Sequence, residues 1–320
     1  MSSEELQGKV FCVTGGSGMV GSAMVRRLAA EGVKVHVLLR EGSSTGAIAE
    51  VLDRVMVHRV VLDGERTLAE QLPGVVPDYI LHFAQPAPQL LKEEEGFFGA
   101  MRSAVTMMGR VLDFAEEVGA NRLVHACSST IYGDSGAAEF KEDDSLLADS
   151  RRGKIKLAEY ELCQQYAQQG CPVVFGRIFR AYGPWDSPKK LIMRALRAHA
   201  AGEEIQLVPD LIKRDYVHVE DIAEVFLRMC TAPLSPGMAF NVGAGKEYSA
   251  REIVELISVN LDTPVRIKKE PYPLSDMDKE HWRASIVKAK EVLGWSPQVT
   301  MEAGIKGMVN WYYDQEGKYG

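Results

Sequence analysis

The feature that most restricts this chain lies between residues 13 and 21. It reads Val13-Thr-Gly15-Gly-Ser-Gly18-Met-Val-Gly21, set between an apolar run and a segment of helical period. Glycines at such spacing serve a tight turn, a close backbone approach to phosphate, and close packing of a helix on a strand. The N–H groups that open such a helix, here those of Met19 and Val20, stand free at the positive end of its dipole. A glycine-rich turn without a ligand is the bland alternative. Its position between strand and helix argues for a dinucleotide site built on Gly15, Gly18 and Gly21.

The rest of the first half alternates short β-rich runs with helix-period segments. Lys9–Thr14, Val33–Leu39, Val55–Val61, Tyr79–Phe83, Arg122–Cys127 and Val173–Arg177 read as strands. Val20–Glu31, Ala100–Val118, Lys154–Gln168, Leu191–Ala201 and Ala250–Asn260 read as helices. Such alternation predicts an α/β fold, a Rossmann-type doubly wound parallel sheet. Beyond it the pattern loosens, with prolines at Pro233, Pro236 and Pro264–Pro273, and a smaller, discontinuous C-terminal substrate lobe is expected. The nucleotide-binding domain is expected to take 1–180 plus parts of 212–245, and the lobe 181–211 and 246–320.

Net charge is −7, which offers no general basic footprint for nucleic acid or an anionic membrane. No apolar run approaches the ~20 residues that span a bilayer. The first residues, MSSEELQGK, do not read as a signal peptide. The five cysteines are scattered without metal-type pairing, so a cytoplasmic protein with reduced, buried thiols is expected, and no metal site.

Two positions bear on the dinucleotide. An NAD site often carries Asp or Glu at the end of the second strand. Here the strand ends Leu38-Leu39-Arg40-Glu41. Arg40 suits the 2′-phosphate of NADP, and NAD or NADP is expected with a slight lean to NADP. An exposed surface Arg, or one stacked on adenine, is the alternative. Asp63 is placed either at the adenine edge or as a turn residue.

Several motifs then accumulate. They are the glycine turn, His82-Phe-Ala84, Cys127-Ser-Ser-Thr-Ile-Tyr-Gly133, and Arg177-Ile-Phe-Arg180-Ala-Tyr-Gly-Pro184. Arg214-Asp-Tyr-Val-His-Val-Glu-Asp221, Phe240-Asn-Val-Gly-Ala-Gly245 and Lys288-Ala-Lys-Glu-Val-Leu-Gly-Trp295-Ser-Pro297 follow. Together they make the chain resemble the extended short-chain dehydrogenase/reductase family, the nucleotide-sugar epimerases and dehydratases, over nearly its whole length. The resemblance implies a hydride passed between a substrate carbon and nicotinamide, with a Tyr as acid/base. It implies a Lys four residues later that lowers the Tyr pKa and holds the ribose, and a Ser that bonds the reacting oxygen. Carried over, Lys156 is the Lys and Ser128 the Ser, and Ala84 lies against the cofactor.

The departures are sharp. Arg152 stands where the Tyr should be, and a guanidinium cannot act as a general base. The family Asn of the fourth helix falls at Ala104. The Asp-Glu pair of the 4,6-dehydratases falls at Ser129 and Thr130, and the Asn before Tyr-Gly-Pro at Arg180. The segment that helps grip a nucleotide diphosphate is replaced around Pro273–Asp278. Arg214 matches an Arg that contacts substrate pyrophosphate in the epimerases.

Arg152, Arg180 and Arg214 would share one cleft in the family geometry and hold an anionic small metabolite by forked contacts. Alternatively, Arg152 pairs with Asp143, Asp144 or Asp149 and meets no substrate. Tyr132, Tyr160, Lys154, His82, His218 and Lys156 itself are the groups weighed as replacement acid/bases. Three function classes stay open. They are hydride chemistry on a nucleotide-activated sugar with a non-standard acid/base; a non-redox lyase, isomerase or cyclase; and a silent NAD(P)-binding sensor or scaffold. Apolar faces on the two long helices (Met101, Val105, Met108, Leu112; Ile155, Leu162, Tyr166) suggest a homodimer, or packing on the sheet alone.

Overall fold

A computed structural model describes residues 6–86, 94–274 and 279–315. The chain begins β1 (Val10–Thr14), α1 (Met19–Ala30), β2 (Lys34–Leu39), β3 (Met56–Arg59), α2 (Leu68–Gln71) and β4 (Tyr79–His82). It continues α3 (Glu94–Glu117), β5 (Arg122–Ser128), β6 (Glu139–Phe140), α4 (Arg151–Gln168), β7 (Val173–Ile178) and β8 (Arg180–Tyr182). Then come α5 (Leu191–Ala200), β9 (Glu204–Ile205), β10 (Lys213–His218), α6 (Val219–Thr231), β11 (Ala239–Val242) and β12 (Glu247–Ser249). Last are α7 (Ala250–Ser258), β13 (Arg266–Ile267), β14 (Arg283–Ala284), α8 (Val287–Leu293) and α9 (Met301–Asp314).

Seven strands form one parallel sheet in the order β11-β7-β5-β4-β1-β2-β3. Its central strands are buried on both faces: every residue of β4 and of β5 is buried. Such strands are stable only where helices cover both sides. One face packs on α1, α6 and α8 through Met24, Leu28, Phe226, Leu293 and Trp295. The other packs on α3 and α4 through Met108, Leu112, Phe114 and Cys163. From β1 the chain runs outward to β3, then returns to lay β4 on the other side of β1. The strand order reverses there, and in such sheets a crevice opens at the carboxyl ends of the strands flanking the reversal.

A second core lies beside the sheet. It joins α5, α7 and α9 through Leu196, Ile253, Ile257, Ile305 and Met308. A three-stranded sheet, β12-β10-β8, borders it and faces the crevice with Arg180, Arg214 and Tyr216. The Asp215 carboxylate pins this sheet, accepting the backbone N–H groups of Ala244, Gly245 and Ala284 at 2.6, 2.9 and 2.9 Å. Burial opposes its charge and pushes its pKa up to about 7.

Helix α4 starts at Arg151, three residues before the sequence pattern suggests. Ser150 caps it, its hydroxyl accepting the Gly153 N–H at 2.9 Å. The extra turn places Arg152 within the helix and brings Gly153 against the Thr130 carbonyl, where a Cβ would sit 2.4 Å from the oxygen. The residues after β5 and the start of α4 are therefore in direct backbone contact.

Candidate functional site

A crevice of about 1180 Å³ runs from the glycine turn across the ends of β1, β4 and β5 to β8 and β10. Its floor is made of backbone. Gly15 has φ +70, and a Cβ there would lie 2.6 Å from the Ala84 nitrogen. At Gly21 a Cβ would lie 2.2 Å from the Gly15 carbonyl oxygen, so α1 can begin this close to β1 only without a side chain. Gly18 precedes α1 and no side chain caps the helix, which leaves the first-turn N–H groups directed at the crevice. That uncapped helix start, in a cradle that a Cβ would fill, fits a dinucleotide pyrophosphate.

The crevice lining includes Gly15, Gly18, Met19, Val20, Gly21, Arg40, Asp63 and Ala84. Asp63 accepts a hydrogen bond from the Ser103 hydroxyl. The loop that carries Arg40 is braced by Arg59, which donates to the Arg40 and Ser43 carbonyls. Thr14, at the end of β1, accepts the N–H groups of Phe83 and Ala84, each at 3.2 Å, so its own proton goes to His82 Nδ1 at 2.8 Å. His82 is then a neutral acceptor at Nδ1, and burial pulls its pKa to about 3. It braces the floor rather than exchanging protons with a ligand.

Lys156, which the resemblance assigns to the ribose, lies on the buried face of α4. It is 3% exposed and does not line the crevice. Its ammonium donates to the Ala126 carbonyl at 3.2 Å and lies 2.6 Å from the carboxylate of Glu159, one helical turn onward. Glu159 is itself wholly buried, 3.3 Å from His125 Nε2, and the His125 ring stacks on His82 at 5.4 Å. Burial works against the Glu159 charge, yet Lys156 and His125 hold its pKa at about 2. A buried carboxylate one turn from a buried ammonium is a strong local trap. Sequence reading passed over Glu159 and His125 because neither belongs to a motif. A charged residue on the buried face of α4 and a His within an apolar strand were the available signals.

Arg152 behaves in the opposite way. It is exposed to the crevice, although surrounding protein lowers its pKa by desolvation. It pairs with none of Asp143, Asp144 or Asp149, and no described residue partners it. Ser128 lines the same crevice. Its oxygen faces the Thr130 N–H at 3.3 Å and the Thr130 hydroxyl at 3.0 Å, which leaves the Ser128 proton available to an oxygen in the crevice. Trp282 donates to Ser129 at 2.8 Å and closes this corner.

The substrate side is cationic. Arg152, Arg180, Lys189, Lys190, Arg194, Arg214 and Lys279 line it, against Asp149 as the acid. Lys190 is matched by buried Asp186 at 2.8 Å and Lys279 by Asp134 at 2.7 Å. Arg214 donates to the carbonyls of Lys213 and Lys279. The Lys189, Lys190, Arg194 and Lys279 contributions were not visible in sequence, since they come from no motif. The segment Ser275–Asp278 lies outside the described residues.

The other groups weighed as acid/bases do not line the crevice. Tyr132 is buried, donating to Asn241 at 2.6 Å and accepting from Arg177 at 2.9 Å. Tyr160 accepts from Gln164 and packs at a tilt against Phe175. His218 caps α6 by accepting the Glu220 N–H. Lys154 is exposed and absent from the lining. Among the described residues there is no cluster of three or more metal-ligand side chains, and no helix is long and apolar enough to cross a membrane.

Comparison with known proteins agrees with this frame. The NAD dependent epimerase/dehydratase family model matches residues 11–243. UDP-glucose 4-epimerase of Mycolicibacterium smegmatis is 30% identical over 312 residues, 94% of this chain and 97% of that protein. An uncharacterised protein of Methanocaldococcus jannaschii is 26% identical over 213 residues, and the match covers 64% of this chain and 63% of that protein's length. An epimerase structure from Methanothermobacter thermautotrophicus superposes with a TM-score of 0.89 at 24% identity, over 99% of this chain and 95% of its own, a likeness of fold. The family match thus runs from the first strand of the seven-stranded sheet to the last, and the chain belongs to the NAD-dependent epimerase/dehydratase family.

Proposed function

We propose that this chain binds a nicotinamide dinucleotide and acts on a nucleotide-activated sugar by epimerase-type or oxidoreductase hydride chemistry with a non-standard acid/base. The carrying observation is one continuous crevice. It joins an uncapped helix start to a Ser with a free proton and a wall of cations. The family relatives named above point to the same substrate class. When bound, the dinucleotide supplies a hydride acceptor and donor. The protein's part is to hold and orient. Backbone N–H groups of the glycine turn grip the cofactor pyrophosphate. Arg180 and Arg214 face the diphosphate of the substrate, and Ser128 donates to the oxygen on the reacting carbon.

Arg152 cannot take up a proton, and Lys156 is held by Glu159, so neither supplies the usual phenol–lysine pair. This arrangement favours one second reading, a dinucleotide-binding protein without turnover. Arg40 supports NADP over NAD, because a guanidinium there suits a 2′-phosphate. We also infer a homodimer through α3 and α4. Phe98 on α3 is 51% exposed, whereas Met108 and Leu112 pack inward on the sheet. Light scattering at micromolar concentration should give twice the chain mass of 35.3 kDa.

The test of turnover uses UDP- and dTDP-sugars in deuterated water and with deuterium at the sugar ring carbons, followed by NMR. Retention of ring deuterium in an altered sugar, or its transfer to the nicotinamide, supports the hydride reading. Wash-out to solvent supports a non-redox route, and an unchanged sugar in every case supports the silent reading.

A further inference from the structure

We infer that the sugar of the substrate carries its own carboxylate, bound by Arg152, so that the substrate is a nucleotide-linked sugar acid. This rests on the nucleotide-sugar reading above and narrows it.

The argument is one of unmatched charge. Two other arginines on the substrate wall have donors engaged by backbone carbonyls: Arg194 donates to Gln206, and Arg214 to Lys213 and Lys279. Arg180 lies within electrostatic reach of the Tyr216 hydroxyl and of the buried Asp186 carboxylate. Arg152 has no partner among the described residues. The acid within its electrostatic reach, Glu159, is already held 2.6 Å from Lys156. Arg180 repels it. Water in the open crevice can solvate this guanidinium, but a bound nucleotide sugar expels that water. A buried guanidinium left without a counter-ion is strongly unfavourable. A neutral hexose offers only hydroxyls, which satisfy the donors but leave the charge unmatched. A carboxylate matches both the charge and the forked geometry of the group.

Position supports the assignment. Arg152 lies in the first turn of α4, and Gly153 beside it rests on the Thr130 carbonyl, two residues past Ser128. Arg152 is also within electrostatic reach of Cys127, next to Ser128 in the chain. The sugar acid is therefore bound at the end of the crevice where Ser128 awaits the reacting oxygen.

The experiment is a set of calorimetric titrations into the protein with NAD or NADP present, using UDP, dTDP, UDP-glucose, UDP-galactose, UDP-glucuronate and UDP-galacturonate. A charge-assisted pair of this kind corresponds to about 10- to 100-fold in affinity. At least one of the two uronates should therefore bind about 10-fold or more tighter than its neutral counterpart. Arg152→Gln should erase that preference and leave UDP affinity within about threefold, while Arg152→Lys should restore part of it. Equal affinity of acid and neutral sugars, or a preference that survives in Arg152→Gln, overturns the inference. Failure of both UDP and dTDP to bind overturns the nucleotide-sugar reading beneath it.

Discussion

The two walls of the crevice are built on opposite principles. Around β1, β4 and α1 the working groups are backbone amides, and the side chains are small or neutral. Around α4, β8 and β10 the working groups are long cationic side chains. The contrast repeats inside α4. Arg152 and Lys156 lie one helical turn apart, yet the first is exposed and unpartnered by any described residue while the second is buried against Glu159. A wall made of backbone is fixed by where glycine is permitted. A wall made of side chains is fixed by which charges find partners.

The largest effect should come from breaking the backbone wall. Gly15→Val would force a side chain onto the Ala84 backbone at φ +70. Overpacking and a left-handed backbone together should remove about 3–5 kcal/mol of stability and abolish dinucleotide binding. Thermal melts with and without NADH check both. A variant that melts like the parent and still binds NADH breaks the account of the floor.

Next comes the trapped lysine. Lys156→Met strands the Glu159 charge and should destabilise the protein by about 3–5 kcal/mol in urea denaturation. Because Lys156 does not face the crevice, dinucleotide affinity should stay within about threefold at a temperature where the variant is folded. A tenfold loss in affinity would return Lys156 to the ribose.

Much of this contrast was legible in the sequence, and only on one side. The glycine spacing and the apolar strands placed the sheet and the crevice floor, because both follow from short-range sterics. Arg152 stood out because it occupies a motif position. That it would point outward while Lys156 turned inward was not legible. It depends on Glu159 and His125, which meet only once β5 packs on α4. The early start of α4 escaped for a similar reason, since Ser150 acts as a cap only in the right backbone geometry.

A smaller effect sharpens the picture of the buried network. His82 and His125 are kept neutral by burial, which lowers the pKa of both. Above pH ~6.5 neither the folded nor the unfolded chain binds these protons. Below it the unfolded chain takes up protons that the folded one refuses, so stability should fall by up to ~1.4 kcal/mol per pH unit for each His. Glu159, depressed to about 2, adds a further loss below pH ~4.5. Urea melts from pH 8 to pH 5 should show the slope, and His82→Gln should reduce it. The smallest expected change is in cofactor choice. Arg40→Ala should weaken NADP by about 10-fold while leaving NAD nearly unchanged, as read by fluorescence titration of the reduced forms.

The division of labour between the walls is tested most directly by titrating NAD and UDP separately into the double variant Arg180→Gln/Arg214→Gln, both of whose sites line the crevice. NAD affinity should remain within about threefold of the parent, and UDP affinity should fall by about 10-fold or more. Loss of NAD with UDP binding intact would mean that the cations serve the cofactor, and the assignment of the two walls would be reversed.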